Sequence, residues 1–216
     1  MAMIEVKCRF CQRTEFVKKH GKGDAGHQRY RCLSCKRTFQ LVALAMNNSG
    51  IRDTARALHI SINAVVRTFK KLQPRGVTTL SLDKVEVQLI CEVDEMWSFV
   101  GNKKCQRWLW YAWEPRLKRI IAHTFGRRSK KTLKKLLKKL SRFNVAFWCT
   151  DKFKVYNMLP ENTHLVGKSF TQRIERENLT LLNRIKRLNR KTLGDSKSPE
   201  MHDKVIGTFI EREYYL

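Results

Sequence analysis

Three sets of side chains in this 216-residue chain have the types and spacing to do chemistry. Thiols form the first. Cys8 and Cys11 make one Cys-x-x-Cys knuckle, and Cys32 and Cys35 make a second. Two such knuckles present four soft thiolates to one tetrahedral ion, the ligand set of a closed structural zinc site. Carboxylates form the second set: Asp94 and Asp151 follow strand-like runs, and Glu175 and Glu177 lie in a later helical stretch. Carboxylate oxygens suit hard divalent ions such as Mg²⁺ or Mn²⁺. The third set is Asn63, Arg67, Lys70 and Lys71 on a short patterned helix. Asn and Arg pair with base edges, and Lys meets phosphates.

Charge narrows the classes. Lys and Arg number 45 against 19 Asp and Glu, a net +26 at pH 7. Such an excess points to a polyanionic partner, double-stranded DNA first, and away from an ordinary metabolic enzyme. The segments before and after Gly76 are both basic, and the second keeps most of the acids. Acids beside phosphates make electrostatic sense only with a cation between them. Apolar residues make up 42% of the chain, enough for packed cores. Seven Cys is an odd number, and the paired knuckles favour metal-bound thiolates in a reducing compartment over a disulfide framework. Cys91, Cys105 and Cys149 sit in strand-like, apolar contexts and are expected to be buried packing thiols. No stretch approaches the ~20 apolar residues of a membrane span. Leu41–Met46 is too short and too far in for a signal peptide. No membrane association is expected, and the expected location is cytoplasmic.

The elements that must position these groups can be read by period. Residues 1–40 read as a zinc ribbon: Gly21, Gly23 and Gly26 suit turns, and His27–Cys32 reads as a strand. Residues 41–73 read as a helical helix-turn-helix domain. Gly50 breaks the stretch once, Ile60-Ser61 breaks it again, and Ser61 is placed to cap the second helix. That helix turns Val65, Val66 and Phe69 inward and offers Asn63, Arg67, Lys70 and Lys71 outward. Gln73-Pro74-Arg75-Gly76 stops it, and residues 74–81 read as a linker.

Residues 82–216 alternate strand and helix. Val85 to Val93 has the period of a strand ending at Asp94; Trp108–Trp113 and Arg119–Phe125 are further strands. Lys130–Leu140 has leucines at helical spacing with six Lys on the other faces, a solvated face or a phosphate-binding one. Val145–Cys149 suits a strand buried on both faces. A short helix after Asp151, a strand at His164–Val166 and a long helix from Thr171 to about Arg190 complete the order. That order predicts an α/β domain with a ribonuclease-H-like mixed five-stranded sheet and flanking helices. In it the first and fourth strands are parallel neighbours, so Asp94 and Asp151 meet at one sheet edge. A third acid from the last helix completes a site for two divalent ions beside a phosphate. Glu175 and Glu177 flank the apolar stripe Ile174, Leu181, Ile185, Leu188 on opposite sides, and periodicity does not choose between them.

Several stretches carry a family resemblance over nearly the whole chain. They are 26–32 (Gly-His-Gln-Arg-Tyr-Arg-Cys), 54–56 (Thr-Ala-Arg), 94–97 (Asp-Glu-Met-Trp), 106–109 (Gln-Arg-Trp-Leu), Thr150-Asp151, 171–176 (Thr-Gln-Arg-Ile-Glu-Arg) and 202–207 (His-Asp-Lys-Val-Ile-Gly). The chain resembles the transposases of the insertion sequence 1 family. The resemblance implies a prokaryotic, DNA-associated enzyme with a zinc finger, a helix-turn-helix for the element's terminal inverted repeats, and an Asp-Asp-Glu domain for metal-dependent cleavage and strand transfer into target DNA. It matches the catalytic, Mg²⁺-binding acids to Asp94, Asp151 and Glu175. Holding two ends together implies a homo-oligomer. Two departures stand out. The Asp151–Glu175 gap is one residue shorter than the family's usual spacing, which implies a trimmed loop around Pro160. Leu182 stands where the family pattern often has a basic residue, with Arg184 and Arg176 nearby. Two rival readings are a non-enzymatic DNA-binding regulator with an inactive catalytic relic, and a structure-selective nuclease of the same fold.

Overall fold

The computed structural model describes residues 13, 15–22, 28–34, 50–58, 61–80, 87–189 and 196–215. The chain divides into two compact units, Met1–Leu72 and Gln73–Leu216.

In the first unit, β1 (Val17–Lys22) pairs antiparallel with β2 (Gln28–Cys32), from Val17 opposite Cys32 to Lys22 opposite Gln28. Gly21, expected in a turn, lies inside β1 where the register shifts between Lys19 and Lys22. A glycine in a strand commonly marks such an irregularity. Cys32 ends β2 and is buried. Cys8, Cys11 and Cys35 lie outside the described residues. Helices α1 (Ile51–Leu58) and α2 (Ile62–Lys70) form the helical pair. Ser61 caps α2 as expected, its Oγ accepting from Ala64 N at 3.1 Å. Val65 and Phe69 are buried, whereas Val66 is half-buried. Positions 65 and 69 share one helical stripe, and 66 falls 100° away from 65.

The second unit is a five-stranded mixed sheet in the order β5-β4-β3-β6-β7. Its strands are β3 (Leu89–Val100), β4 (Asn102–Glu114), β5 (Arg119–Gly126), β6 (Val145–Thr150) and β7 (His164–Val166). β3, β4 and β5 form an antiparallel meander; β6 runs parallel to β3, and β7 parallel to β6. The first strand does not end at Asp94. Strand-forming Trp97, Phe99 and Val100 carry it on, and Gly101, at φ +75°, turns it into β4. Helix α3 (Lys130–Leu140) buries Leu133, Leu136 and Leu140 against Leu89, Cys91, Val93, Trp110 and Ile121. β6 is not buried on both faces: Phe147, on the opposite side of the sheet from α3, is 42% exposed. The long final helix is interrupted. Helix α4 (Gln172–Arg184) ends at Ile185, whose φ −112° and ψ 87° leave the helical region, and a 3₁₀ turn covers Lys186–Leu188. The break lets Arg187 and Leu188 both go inside, with Arg187 Nη1 donating to Ser196 Oγ at 3.1 Å. Helix α5 (Pro199–Ile210) follows.

Part of the segment read as a linker is fastened down. His123 N donates to Gly76 O at 2.9 Å and Thr78 N to Ile121 O at 2.8 Å, so residues 76–78 cover the outer edge of β5. Lys139 also turns inward there: its Nζ donates to His123 O at 2.7 Å. It leaves the other five lysines of α3 as the exposed basic face.

Two buried histidines tie the C-terminal segment to the sheet. His202 Nε2 lies 2.8 Å from Ser98 Oγ, and its Nδ1 lies 3.1 Å from Ser196 Oγ. His123 Nδ1 lies 2.6 Å from Tyr215 Oη. Asp203 pairs with Arg107 through two hydrogen bonds, one of 2.9 Å from Nε. His202 and Asp203 therefore pin α5 to the β3–β4 hairpin. Burial pushes both histidines from an ordinary 6.5 down to about 3; Lys139 adds to this at His123, and Arg187 and Arg107 at His202. The unfolded chain takes up these protons below pH 6.5 and the folded chain does not, so stability is lost as pH falls from 6.5 towards 3. Each His contributes up to about 1.4 kcal/mol per pH unit in that window. Buried acids with raised pKa values, such as Glu92 and Asp203, act in the opposite sense. The contribution is therefore read by difference. Urea unfolding between pH 6 and 4.5 is expected to show a steeper stability loss in the wild type than in His123→Gln/His202→Gln. Parallel curves for the two proteins would contradict it.

Candidate active site

The register of two parallel strands brings the acids together. Glu92 lies opposite Cys149 in the last parallel pair of β3 and β6. Two further residues along each chain place Asp94 level with Asp151. Asp151 is the first residue past β6, whereas Asp94 lies within β3, at the point where β3 loses its β6 neighbour. Open α/β sheets collect ligands at such carboxyl ends of strands.

Helix α4 carries Glu175. Its start is held to the sheet by Glu92, whose Oε2 accepts from Ile174 N at 2.7 Å. Glu92 and Asp94 are two apart on β3 and share the face that α4 covers. Glu175 is the next residue on α4 and is exposed. Burial raises the pKa of Asp94; Asn178 and the Glu95 N–H counter this, and the charges of Asp151 and Glu175 push it further up. The structure thus brings Asp94 within electrostatic reach of both. Glu177 points elsewhere, accepting a hydrogen bond from Tyr214 Oη beside Arg184. Burial raises its pKa.

Both Asp94 oxygens are oriented. Oδ1 accepts from Glu95 N at 2.8 Å and Oδ2 from Asn178 Nδ2 at 2.6 Å. The Asn178 amide is itself oriented, because Tyr111 Oη donates to its Oδ1 at 2.7 Å. Tyr111 lies opposite Asp94 on β4. Asp151 Oδ1 accepts from Phe153 N at 2.9 Å. Sequence reasoning missed Glu92, Tyr111 and Asn178. A signal existed for two of them: Asn178 is three residues after Glu175 on one helix, and Glu92 is two before Asp94 on one strand.

The carboxylates of Asp94, Asp151 and Glu175 offer only oxygen donors, the ligand type that suits hard divalent ions. Among the described residues, no three acidic, His or Cys side chains are closed up around a single point as an ion would hold them. The mutual repulsion felt at Asp94 is what a divalent cation relieves.

The basic candidates near α4 are accounted for in part. Arg184 pairs with Glu213 and lies 4.9 Å over the Phe209 ring, turned to the C-terminal segment. Arg176 is exposed and Leu182 half-buried. Asn63, Arg67, Lys70 and Lys71 are all exposed on α2 or at its end. Cys91 and Cys149 are buried thiols, with burial pushing Cys149 up to about 11. Cys105 is not buried: it lies in the exposed first residues of β4, beside Lys103 and Lys104. No described helix is long and apolar enough to cross a membrane.

Comparison with known proteins gives the family. A family model described as IS1 transposase matches residues 88–216. A zinc-ribbon model described as the InsA N-terminal domain matches residues 1–36, and a helix-turn-helix model described as the InsA C-terminal domain matches residues 38–72. Insertion element iso-IS1n protein InsB of Shigella dysenteriae is 52% identical over 128 residues, which are 59% of this chain and 98% of that protein. Insertion element IS1 2 protein InsB of Escherichia coli (strain K12) is 45% identical over 148 residues, 68% of this chain and 89% of that protein. A DNA-binding helix-turn-helix and a DDE catalytic domain thus stand in one polypeptide, and the chain belongs to the IS1 transposase family.

Proposed function

We propose that the chain recognises the terminal inverted repeats of an insertion element and performs both cleavage and strand transfer at Asp94, Asp151 and Glu175. The observation that carries this reading is the parallel register that sets Asp94 level with Asp151, with Glu175 next to the Ile174 N–H that Glu92 holds against the same strand. Two divalent ions held by these acids would activate the attacking oxygen and stabilise the leaving one. The three carboxylates would hold those ions where they can orient the scissile phosphodiester for in-line attack. Water attacks first at the element end; the P–O3′ bond breaks and the 3′ oxygen leaves as a hydroxyl. That hydroxyl then attacks a target phosphodiester, forming a new P–O3′ bond and releasing the target's own 3′-hydroxyl. Bond energy is exchanged, so no covalent enzyme intermediate and no other co-reactant are needed. A zinc ion held by Cys8, Cys11, Cys32 and Cys35 supports the ribbon, and two chains or more bring two ends together. The bacterial sources of the relatives support a place beside DNA in a prokaryotic cytoplasm.

On α2, Asn63 and Arg67 are one turn apart and exposed, the spacing for reading base edges from one groove. Lys70 and Lys71 follow towards the backbone. The test pairs a duplex ending in the element's terminal repeat with a random duplex. With Mg²⁺, the wild type is expected to join the first to target DNA; cutting of both without joining would favour a plain nuclease. Arg67→Ala is expected to lose about 1–3 kcal/mol of discrimination between the two duplexes. Lys134→Gln/Lys138→Gln on α3 is expected to weaken both equally and to lower the salt slope by about two units if both touch phosphates. Equal weakening of both duplexes by Arg67→Ala would mean that another element reads the sequence.

A further inference from the structure

Behind the acids, on the α3 side of the sheet, a second charged cluster has no part in the chemistry above. Glu95 follows Asp94 and points to the opposite face. Its side chain is 2% exposed, so its charge needs a partner. Arg128, between β5 and α3, provides one: Nε and Nη2 approach Glu95 Oε1 at 2.8 and 2.7 Å. Tyr156 Oη donates to the other oxygen. The same guanidinium lies 3.9 Å over the Phe153 ring and 5.0 Å over the Trp108 ring. Arg128 therefore joins β3, β4 and the turn after β6 at the carboxyl end of the strands.

What Arg128 grips decides what it does. Glu95 and Phe153 are the two residues whose backbone N–H groups donate to the acids: Glu95 N to Asp94 Oδ1 at 2.8 Å, and Phe153 N to Asp151 Oδ1 at 2.9 Å. Tyr156 links the same two residues from the other side, donating from Oη to Glu95 and from N to Phe153 O at 2.9 Å, and Arg128 is the charged member of the pair. We infer that Arg128 is a positioning residue for the acidic site, holding the turn that carries Asp151 in register with the strand that carries Asp94. The inference rests on the reading of those acids as the metal-binding site. It requires arginine specifically. A planar guanidinium stacks on a ring and donates two hydrogen bonds at once, whereas an ammonium keeps the charge and loses the stacked fork.

The test is Mn²⁺ binding by the full-length zinc-loaded chain, followed by electron paramagnetic resonance at a temperature where circular dichroism shows each variant folded. Arg128→Lys keeps a cation beside Glu95, and Phe153→Ala removes the stacked ring without stranding a charge. Each is expected to weaken Mn²⁺ binding about 10- to 100-fold, the range for residues that orient metal ligands. Strand transfer should fall at low Mn²⁺ and recover as Mn²⁺ is raised. A rivet that only stabilised the fold would lower the melting temperature and leave Mn²⁺ affinity alone. Affinities within about twofold of wild type in both variants, with Asp94→Asn losing binding, would overturn the inference. Unchanged Mn²⁺ binding by Asp94→Asn would instead sink the reading of the acidic site, and the inference with it.

Discussion

Asp94→Asn and Asp151→Asn are each expected to lower strand transfer by about 10³-fold or more while end binding in a gel shift stays at the wild-type level. The magnitude follows from several kcal/mol of charge stabilisation lost with each carboxylate, at a tenfold rate change per ~1.4 kcal/mol. The two changes differ in their local cost. Asn at position 151 still offers Oδ1 to Phe153 N, so the turn after β6 is kept. Asn at position 94 still accepts from Glu95 N through Oδ1, but its new amide faces the Asn178 amide, and Tyr111 holds the latter in place. Two donors then point at each other, which costs about 1–3 kcal/mol on top of the lost charge. Asp151→Asn is thus the cleaner probe of charge. Its melting temperature should match the wild type, and that of Asp94→Asn should fall by a few degrees. Strand transfer within tenfold of wild type by Asp151→Asn would contradict the account.

The second large effect concerns zinc. Cys32→Ser is expected to release the ion and to abolish end binding. Cys32 is buried where β2 ends, opposite Val17 on β1, so a thiolate there leaves a formed hairpin at the edge of the second knuckle. Structural zinc contributes on the order of 10 kcal/mol or more to folding a ribbon, and a hydroxyl replaces a thiolate poorly. The unit from Gln73 onward has its own core and should keep its own melting transition. About one equivalent of zinc in the wild type and under half an equivalent in Cys32→Ser is the expected metal analysis. Full zinc content with unchanged end binding in the variant would remove Cys32 from the ligand set.

How far the sequence led depended on whether a feature was local. The Ser61 cap, the leucine stripe of α3 and the strand at His164–Val166 rest on a few neighbouring residues, and the fold has them as read. The mixed five-stranded sheet followed from the order of periods. The errors came from tertiary partners. The alternation that marked the first strand stops at Asp94-Glu95, where one acid serves α4 and the next serves Arg128, so the continuation to Val100 was hidden. The final helix looked continuous because Ile185 and Leu188 keep helical spacing; only burial of Arg187 against Ser196 shows why it breaks. Cys105 had strand-like neighbours, but two lysines keep that end of β4 in solvent. Within the site, the strand register was legible and the hydrogen bonds that aim the acids were not. Tyr111 and Glu92 bond Asn178 and Ile174, 67 and 82 residues away from them in sequence.

Glu175 and Glu177 are the point at which one measurement tests the acidic site most directly. Local pattern treats them alike, yet one lies within the field of Asp94 and the other is bound to Tyr214. Glu175→Gln and Glu177→Gln remove the same charge two residues apart on the same helix. Strand transfer of an end-containing duplex with Mg²⁺ or Mn²⁺, run beside a gel shift on that duplex, compares them. The account predicts loss of joining by Glu175→Gln with end binding intact, and near wild-type joining by Glu177→Gln. Robust joining by Glu175→Gln together with an inactive Glu177→Gln would contradict it.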